Sequence, residues 1–236
     1  MSDRTAVLGV IADRLGALRL GHPVRVGIDG LCGSGKSTFA RELVGLLRER
    51  GHDAVHLESD GFHHLRAVRY RQGRDSARGY YEDAYDFEAL ADSVLRPLGP
   101  GGDRRYAVQV HDLATDAVLD RRAEAGLETI VVFDCTFLQR GPLRELWDEV
   151  IWLETDRAVA LARGVARDEA AMGGRDAAIA AYESRYLAAC DLYVAEEAPR
   201  ERATLVVEHD DPAYPRLVED GSRLGPIAPG SVESAP

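Results

Sequence analysis

The sequence predicts an α/β fold: a three-layer αβα sandwich on a parallel five-stranded sheet, with a small β-hairpin insertion and an arginine-bearing helical lid. Three observations carry this. Apolar, β-branched runs ending in an acid recur at residues 24–29, 129–134 and 149–154, as in parallel strands buried on both faces. Segments with apolar residues at helical spacing alternate with them, as in 37–47 and 156–169. Between the first strand and its helix lies Gly30-Leu31-Cys32-Gly33-Ser34-Gly35-Lys36-Ser37, which has the G-x-x-x-x-G-K-S spacing.

Residues 5–20 set Val7, Leu8, Ile11, Leu15 and Leu18 on one face, an amphipathic helix ahead of the sheet. The glycine loop that follows the first strand is a phosphate cradle. Its glycines let successive N–H groups turn inward, while the lysine reaches the outer phosphates and the helix start adds partial positive charge. The nucleotide-contacting set is therefore Gly30, Cys32, Gly33, Ser34, Gly35, Lys36, Ser37 and Thr38. The chain contains arginine 28 times and lysine once, at position 36. A compact ammonium threads between phosphate oxygens where a wide planar guanidinium does not.

A second strand at 54–58 runs into Ser59-Asp60-Gly61-Phe62-His63-His64, and α/β sheets carry their chemistry at the carboxyl ends of strands. Residues 62–122 read as a substrate-side insertion. It opens with Arg66, Arg69, Arg71, Arg74 and Arg78, which form either a solvated surface or a flap whose guanidinium groups meet phosphate oxygens. A helix at 87–96, a turn at 97–103 and a hairpin of 106–112 with 117–119 complete the insertion. The buried strand 129–134 ends in Asp134, which with Ser37 is the expected Mg2+ site. The strand 149–154 leads to a lid at 156–176 bearing Arg157, Arg163 and Arg167 and closing in Gly173-Gly174. That segment is either a solvated helix or a hinged lid bringing Arg163 and Arg167 to the transferring phosphoryl group. A helix at 176–195 packs through Ile179, Tyr182, Tyr186 and Leu187, and a last strand spans 203–207.

At 236 residues one domain is expected over 1–220, with a disordered tail at 221–236. The net charge of −11 offers no basic field, so nucleic acid and membrane surfaces are not expected partners. Cys32, Cys135 and Cys190 are far apart and form no C-x-x-C pair. They read as fillers in a reducing compartment, Cys32 being the one that could be oxidisable beside N–H donors. No membrane-length apolar run and no leader segment are read, so the expectation is a cytoplasmic protein, with a homo-oligomer left open.

These pieces resemble the uridine kinase and phosphoribulokinase family of P-loop kinases across most of residues 24–218, and look most like actinobacterial members labelled uridine kinase. The carrying segments are the loop itself, Asp60-Gly61-Phe62-His63, Asp83-Ala84-Tyr85-Asp86-Phe87, Phe133-Asp134-Cys135-Thr136-Phe137-Leu138, and Arg163-Gly164-Val165-Ala166-Arg167-Asp168. The resemblance implies a P-loop NTPase fold, ATP and Mg2+, and a small hydroxylated substrate such as a nucleoside. It makes Asp60 the catalytic base, working with Lys36 and Arg167, and makes Asp60, Phe62, His63, Tyr81, Asp83 and His111 the substrate-facing set.

The chain departs from the family at the acceptor. Gly79-Tyr80-Tyr81-Glu82 stands where relatives carry Phe-Asp-His-Pro, leaving Glu82 or Asp83 as the carboxylate. The Tyr and His that read the pyrimidine fall at about His111 and Asp116, and one lid arginine is replaced by Gly164. A sugar, sugar phosphate or pantothenate-like alcohol is the rival acceptor, and an NTP-hydrolysing regulatory switch is the rival class. A metal hydrolase built on His63, His64 and His111 is weaker, because neighbouring histidines diverge on a strand or helix.

Overall fold

The computed structural model describes residues 3–218. Helix α1 (Asp3–Ala17) buries Leu8, Ile11 and Leu15 before the sheet begins. β1 (Val24–Gly30), α2 (Lys36–Glu49) and β2 (Ala54–Glu58) follow. Short helices α3 (Arg66–Arg69), α4 (Ala77–Asp83) and α5 (Phe87–Leu90) lead to the hairpin of β3 (Arg105–Asp112) and β4 (Ala117–Glu124). Then come β5 (Ile130–Asp134), β6 (Glu149–Glu154), α6 (Arg157–Asp168) and α7 (Arg175–Ala181). A π turn over Tyr182–Tyr186 joins α7 to α8 (Leu187–Glu197), and α9 (Pro199–Arg202), β7 (Leu205–Glu208) and β8 (Arg216–Val218) close the chain.

The main sheet runs β2-β5-β1-β6-β7-β8, with the first five strands parallel. These five are the parallel strands the sequence predicts, and a sixth joins them. β8 adds antiparallel to β7, setting Leu217 opposite Val207 and Arg216 opposite Glu208. Three residues after Pro215 carry no periodicity, so this strand exists through its tertiary pairing alone. The hairpin is longer than read, because β4 runs on through Asp120, Arg121 and Arg122 on an exposed ladder where charge hides strand character. The helix expected at 176–195 is a continuous rod interrupted by the π turn, a feature that tends to occur at functional positions. The tail expected to be disordered lies outside the described residues. Among the described residues no helix is long and apolar enough to cross a membrane.

Register decides where chemistry can occur. Ile28 and Glu58 both pair with Asp134, so β1, β2 and β5 end level and send the phosphate loop, the Asp60 turn and Asp134 to one edge. Below that edge the core is locked by polar pairs. Arg25, on buried β1, gives its backbone N–H, Nε and Nη2 to the Asp148 carboxylate, at 2.8, 2.9 and 2.7 Å.

Asp29 is wholly buried and accepts from Tyr193 Oη at 2.5 Å, Gly30 N at 2.8 Å and Gln139 Nε2 at 3.3 Å, tying β1 to α8. Burial pushes its carboxyl up to about 6 despite those donors and the Lys36 charge. An unfolded aspartate titrates lower, so the folded state holds the extra proton between about pH 4 and 6, and stability falls as pH rises through that window. Asp29→Asn is expected to stay folded and to flatten that slope in urea midpoints. A slope equal to that of the parent protein would remove Asp29 as its source.

Candidate active site

The phosphate loop owes its shape to glycines in conformations that side chains avoid: φ is 87° at Gly33 and 94° at Gly35. A Cβ on Gly33 would lie 2.2 Å from the Ala160 carbonyl oxygen of α6, so the lid helix rests directly on the loop. Lys36 Nζ donates to the Gly30 and Leu31 carbonyls at 3.0 and 2.8 Å. Ser37 Oγ donates to Asp134 Oδ2 at 2.5 Å, and His56 Nε2 lies 2.6 Å from Asp134 Oδ1. The Asp134 carboxylate is therefore held from both sides, by the loop hydroxyl and by a ring on β2. His56 escaped the sequence reading, since a lone strand histidine gives no signal until the register of β2 on β5 is known.

Asp60 sits in a 3-10 turn over Ser59–Phe62 at the end of β2, with its side chain 74% exposed. It lines a cavity of about 1160 Å3 together with Gly33, Lys36, Ser37 and Asp134. His63 stands behind it. Its ring stacks on Tyr85 with centroids 4.4 Å apart, and its Nδ1 lies 2.8 Å from the Ala84 carbonyl oxygen. Its Nε2 lies 3.7 Å from Asp60 Oδ1, and the ring holds the Asp60 carboxyl below the usual aspartate range against the opposing effect of partial burial.

The lid arginines both line the cavity and are both engaged. Arg163 donates to the His209 carbonyl at 2.9 Å and to that of Asp210. Arg167 donates to Asp168 at 2.7 and 2.9 Å and to Tyr182 Oη at 3.0 Å, while Tyr182 Oη donates to Asp168 at 2.7 Å. The Asp168 contact raises the Arg167 pKa further. Gly164 explains the missing third arginine, because a Cβ there would meet the Tyr182 ring at 2.2 Å. Gly164→Ala should therefore displace Tyr182 and release Arg167, costing about 1–3 kcal/mol by overpacking. The expected readout is a lowered urea midpoint together with reduced activity; an unchanged midpoint with full activity would show that the ring moves freely.

Other expected residues lie off the cavity wall. Phe62 is packed against Phe133 in the core. Tyr81 is buried under Arg140, Phe137 and Tyr193. Asp83 is buried and taken by Arg71 and by Gln72 Nε2, the latter at 2.8 Å. His111 is buried with Nε2 3.0 Å from Asp116. All four come from the family resemblance, carried over by position along the sequence, which does not fix the facing of a side chain. Gly30 and Ser34 stand behind the loop, where the Ser34 carbonyl oxygen lies 2.8 Å from His209 Nδ1. Cys32 does line the cavity, with Cys190 Sγ 3.4 Å from its backbone N; that neighbouring thiol draws the Cys32 pKa down to about 6 against burial. His64 faces Asp86 at 3.5 Å, so the three histidines of the hydrolase alternative meet three different carboxylates.

The wall also holds Arg4, Tyr70, Arg185 and His209, which the sequence reading did not select, and Tyr182 and Tyr186, which it read only as packing residues. Arg4 reaches from α1 to His209 Nε2 at 3.1 Å, linking the first helix through His209 to the phosphate loop.

Residues 25–209 match the family model described as phosphoribulokinase / uridine kinase. A uridine kinase of Clostridium botulinum (strain Langeland) is 30% identical over 150 residues, covering 62% of this chain and 69% of that protein. A uridine kinase of Clostridium perfringens (strain 13) is 27% identical over the same length and shares. Among solved structures, that of a possible uridine kinase from Bacillus stearothermophilus superposes with a TM-score of 0.66 at 26% identity, covering 84% of this chain and 96% of its own.

Proposed function

This chain belongs to the phosphoribulokinase and uridine kinase family, and on that premise we propose that it transfers the γ-phosphate of ATP to a hydroxyl of a small metabolite. One observation carries the reading: the exposed Asp60 carboxylate shares a cavity with Lys36, Ser37 and Asp134. The left-handed glycines, the single ammonium and the hard oxygen donors Ser37 and Asp134 fit a nucleotide phosphate chain with Mg2+. Ser37 and Asp134 would hold that ion, which would supply positive charge against the developing charge of the phosphate chain.

Lys36 exchanges the Gly30 and Leu31 carbonyls for phosphate oxygens, and His56 fixes the Asp134 carboxylate plane. Asp60 takes the proton of the acceptor hydroxyl onto a carboxylate oxygen as that hydroxyl attacks. Arg167, held by Tyr182 and Asp168, supplies positive charge where charge spreads in the transfer. The three cysteines are free thiols, which suits a reducing, cytoplasmic setting.

The names of the relatives make a nucleoside hydroxyl, uridine above all, the first acceptor to test. A second reading, an acceptor that is already anionic, is favoured by the arginines on the cavity wall. ADP release and product mass measured with uridine, cytidine, pentoses, sugar phosphates and pantothenate test the proposal. Acceptor-dependent ADP release with a product heavier by one phosphoryl group is the expected result. ATP hydrolysis indifferent to every acceptor would replace it with the regulatory-switch reading.

A further inference from the structure

Resting on the phosphate-loop reading above, we propose that His209, held by Arg4, is a positioning residue for the nucleotide: it turns the peptide joining Ser34 to Gly35 so that its N–H meets a phosphate oxygen. The need for such a device lies in the glycine. Gly35 has φ of 94°. Glycine visits both signs of φ at little cost, so the loop's own residues leave open which way the preceding peptide faces. A peptide facing the wrong way would present its carbonyl oxygen to an anion.

The partner that settles the matter comes from outside the loop. Ser34 is fully buried, and its carbonyl oxygen lies 2.8 Å from His209 Nδ1. Carbonyl and N–H lie on opposite sides of a trans peptide, so a carbonyl held toward His209 sends the Gly35 N–H away from it. Gly35 borders the cavity and Ser34 is buried behind the loop, which gives that N–H to the cavity. The ring is itself held in place. It is 1% exposed, meets Phe39 edge-on with centroids 5.8 Å apart, and stands 3.0 Å from where a Gly35 Cβ would lie.

Arg4 decides which form of the ring does this. Its Nη1 lies 3.1 Å from His209 Nε2. A guanidinium N–H only donates and a carbonyl oxygen only accepts, so the two neighbours together require a neutral ring with its proton on Nδ1. Burial, with the Arg4 and Arg163 charges, holds the His209 pKa below the ordinary histidine value. Arg4 is fixed in turn by Glu42 of α2, 2.6 Å from its Nε, and by the Pro212 carbonyl, 2.6 Å from its Nη1. The lid joins the same residue, since Arg163 donates to the His209 backbone carbonyl at 2.9 Å. Arg4 lies on α1, ahead of the residues 25–209 that the family model matches, so this support comes from the chain's own first helix.

The test is calorimetry with Mg2+ and two probes, a non-hydrolysable ATP analogue and inorganic tripolyphosphate, on the parent protein, His209→Phe, His209→Asn, Arg4→Met and the double variant of Arg4→Met with His209→Phe. Phenylalanine keeps a ring against Phe39 and removes the donor, whereas asparagine carries an N–H close to the place of Nδ1. His209→Phe is expected to weaken both probes about tenfold to a hundredfold, the range for a buried carbonyl left without its donor. His209→Asn should recover most of that loss. Arg4→Met should weaken both probes about threefold to tenfold, and add nothing once His209 is phenylalanine, because Arg4 acts through the ring. Arg4→Met changes only the first turn of α1, so it reads the same contrast if His209→Phe does not fold.

Equal affinities across the variants overturn the proposal, as does a loss confined to the ATP analogue, which would put His209 on the nucleoside. Additive losses in the double variant would put Arg4 on the phosphates directly, and an asparagine variant as weak as phenylalanine would leave only ring packing; either result overturns it too. A parent protein that binds neither probe overturns the phosphate-loop reading itself. Binding that the substitutions weaken as expected, in a protein that phosphorylates no acceptor, supports the positioning role and overturns the kinase reading alone.

Discussion

Asp60→Asn is expected to lower kcat by about a hundredfold to ten-thousandfold, the usual contribution of a general base, while KM for ATP stays near that of the parent protein. Asparagine keeps the shape of the side chain and the 3-10 turn that presents it, and removes only the capacity to accept a proton. The side chain is mostly exposed and its ionic contact is with His63 at 3.7 Å, so loss of fold does not compete as an explanation. A pH profile makes the prediction sharper. His63 lowers the pKa of Asp60, so the base stays ionised, and the acid limb of kcat/KM should fall below the ordinary carboxylate range. His63→Gln removes that support, so the limb should move to higher pH with the plateau largely kept. Near-normal turnover by Asp60→Asn would end the assignment of Asp60 as base.

How far the chain could be read depended on whether a residue's role is local. The phosphate loop was legible because strand, glycines, Lys-Ser and helix adjoin in sequence, and Asp134 because an apolar run delivers it to a strand end. Asp60 was legible for the same reason. His56 was not, since it meets Asp134 only through parallel pairing of β2 with β5. Arg4 was not, because its partner His209 is 205 positions away. The π turn that carries Tyr182, Arg185 and Tyr186 shifts helical phase in a way that periodicity cannot register. Asp83 shows the converse: a carboxylate beside a family motif, buried and spent on Arg71 and Gln72.

Lys36→Ala and Lys36→Arg should both abolish transfer, and the arginine variant is the more informative. The ammonium already makes two carbonyl contacts inside the loop, at 3.0 and 2.8 Å from Gly30 and Leu31, in a space closed by Gly33 against Ala160. A guanidinium keeps the charge but is planar and wider, so it can neither fold onto both carbonyls nor enter between phosphate oxygens as a point charge. Charge alone is thus expected to be insufficient: Lys36→Arg should show no ADP release above background, while both variants keep a urea midpoint close to the parent's. The composition supplies an unusually clean second measurement. With one lysine in the chain, amine-directed acylation of the folded protein reports on Lys36 apart from the amino terminus, and ATP with Mg2+ should protect it. Full activity in the arginine variant would mean that the lone lysine has no steric reason to be one, and acylation unaffected by ATP would place the phosphates elsewhere than on this loop.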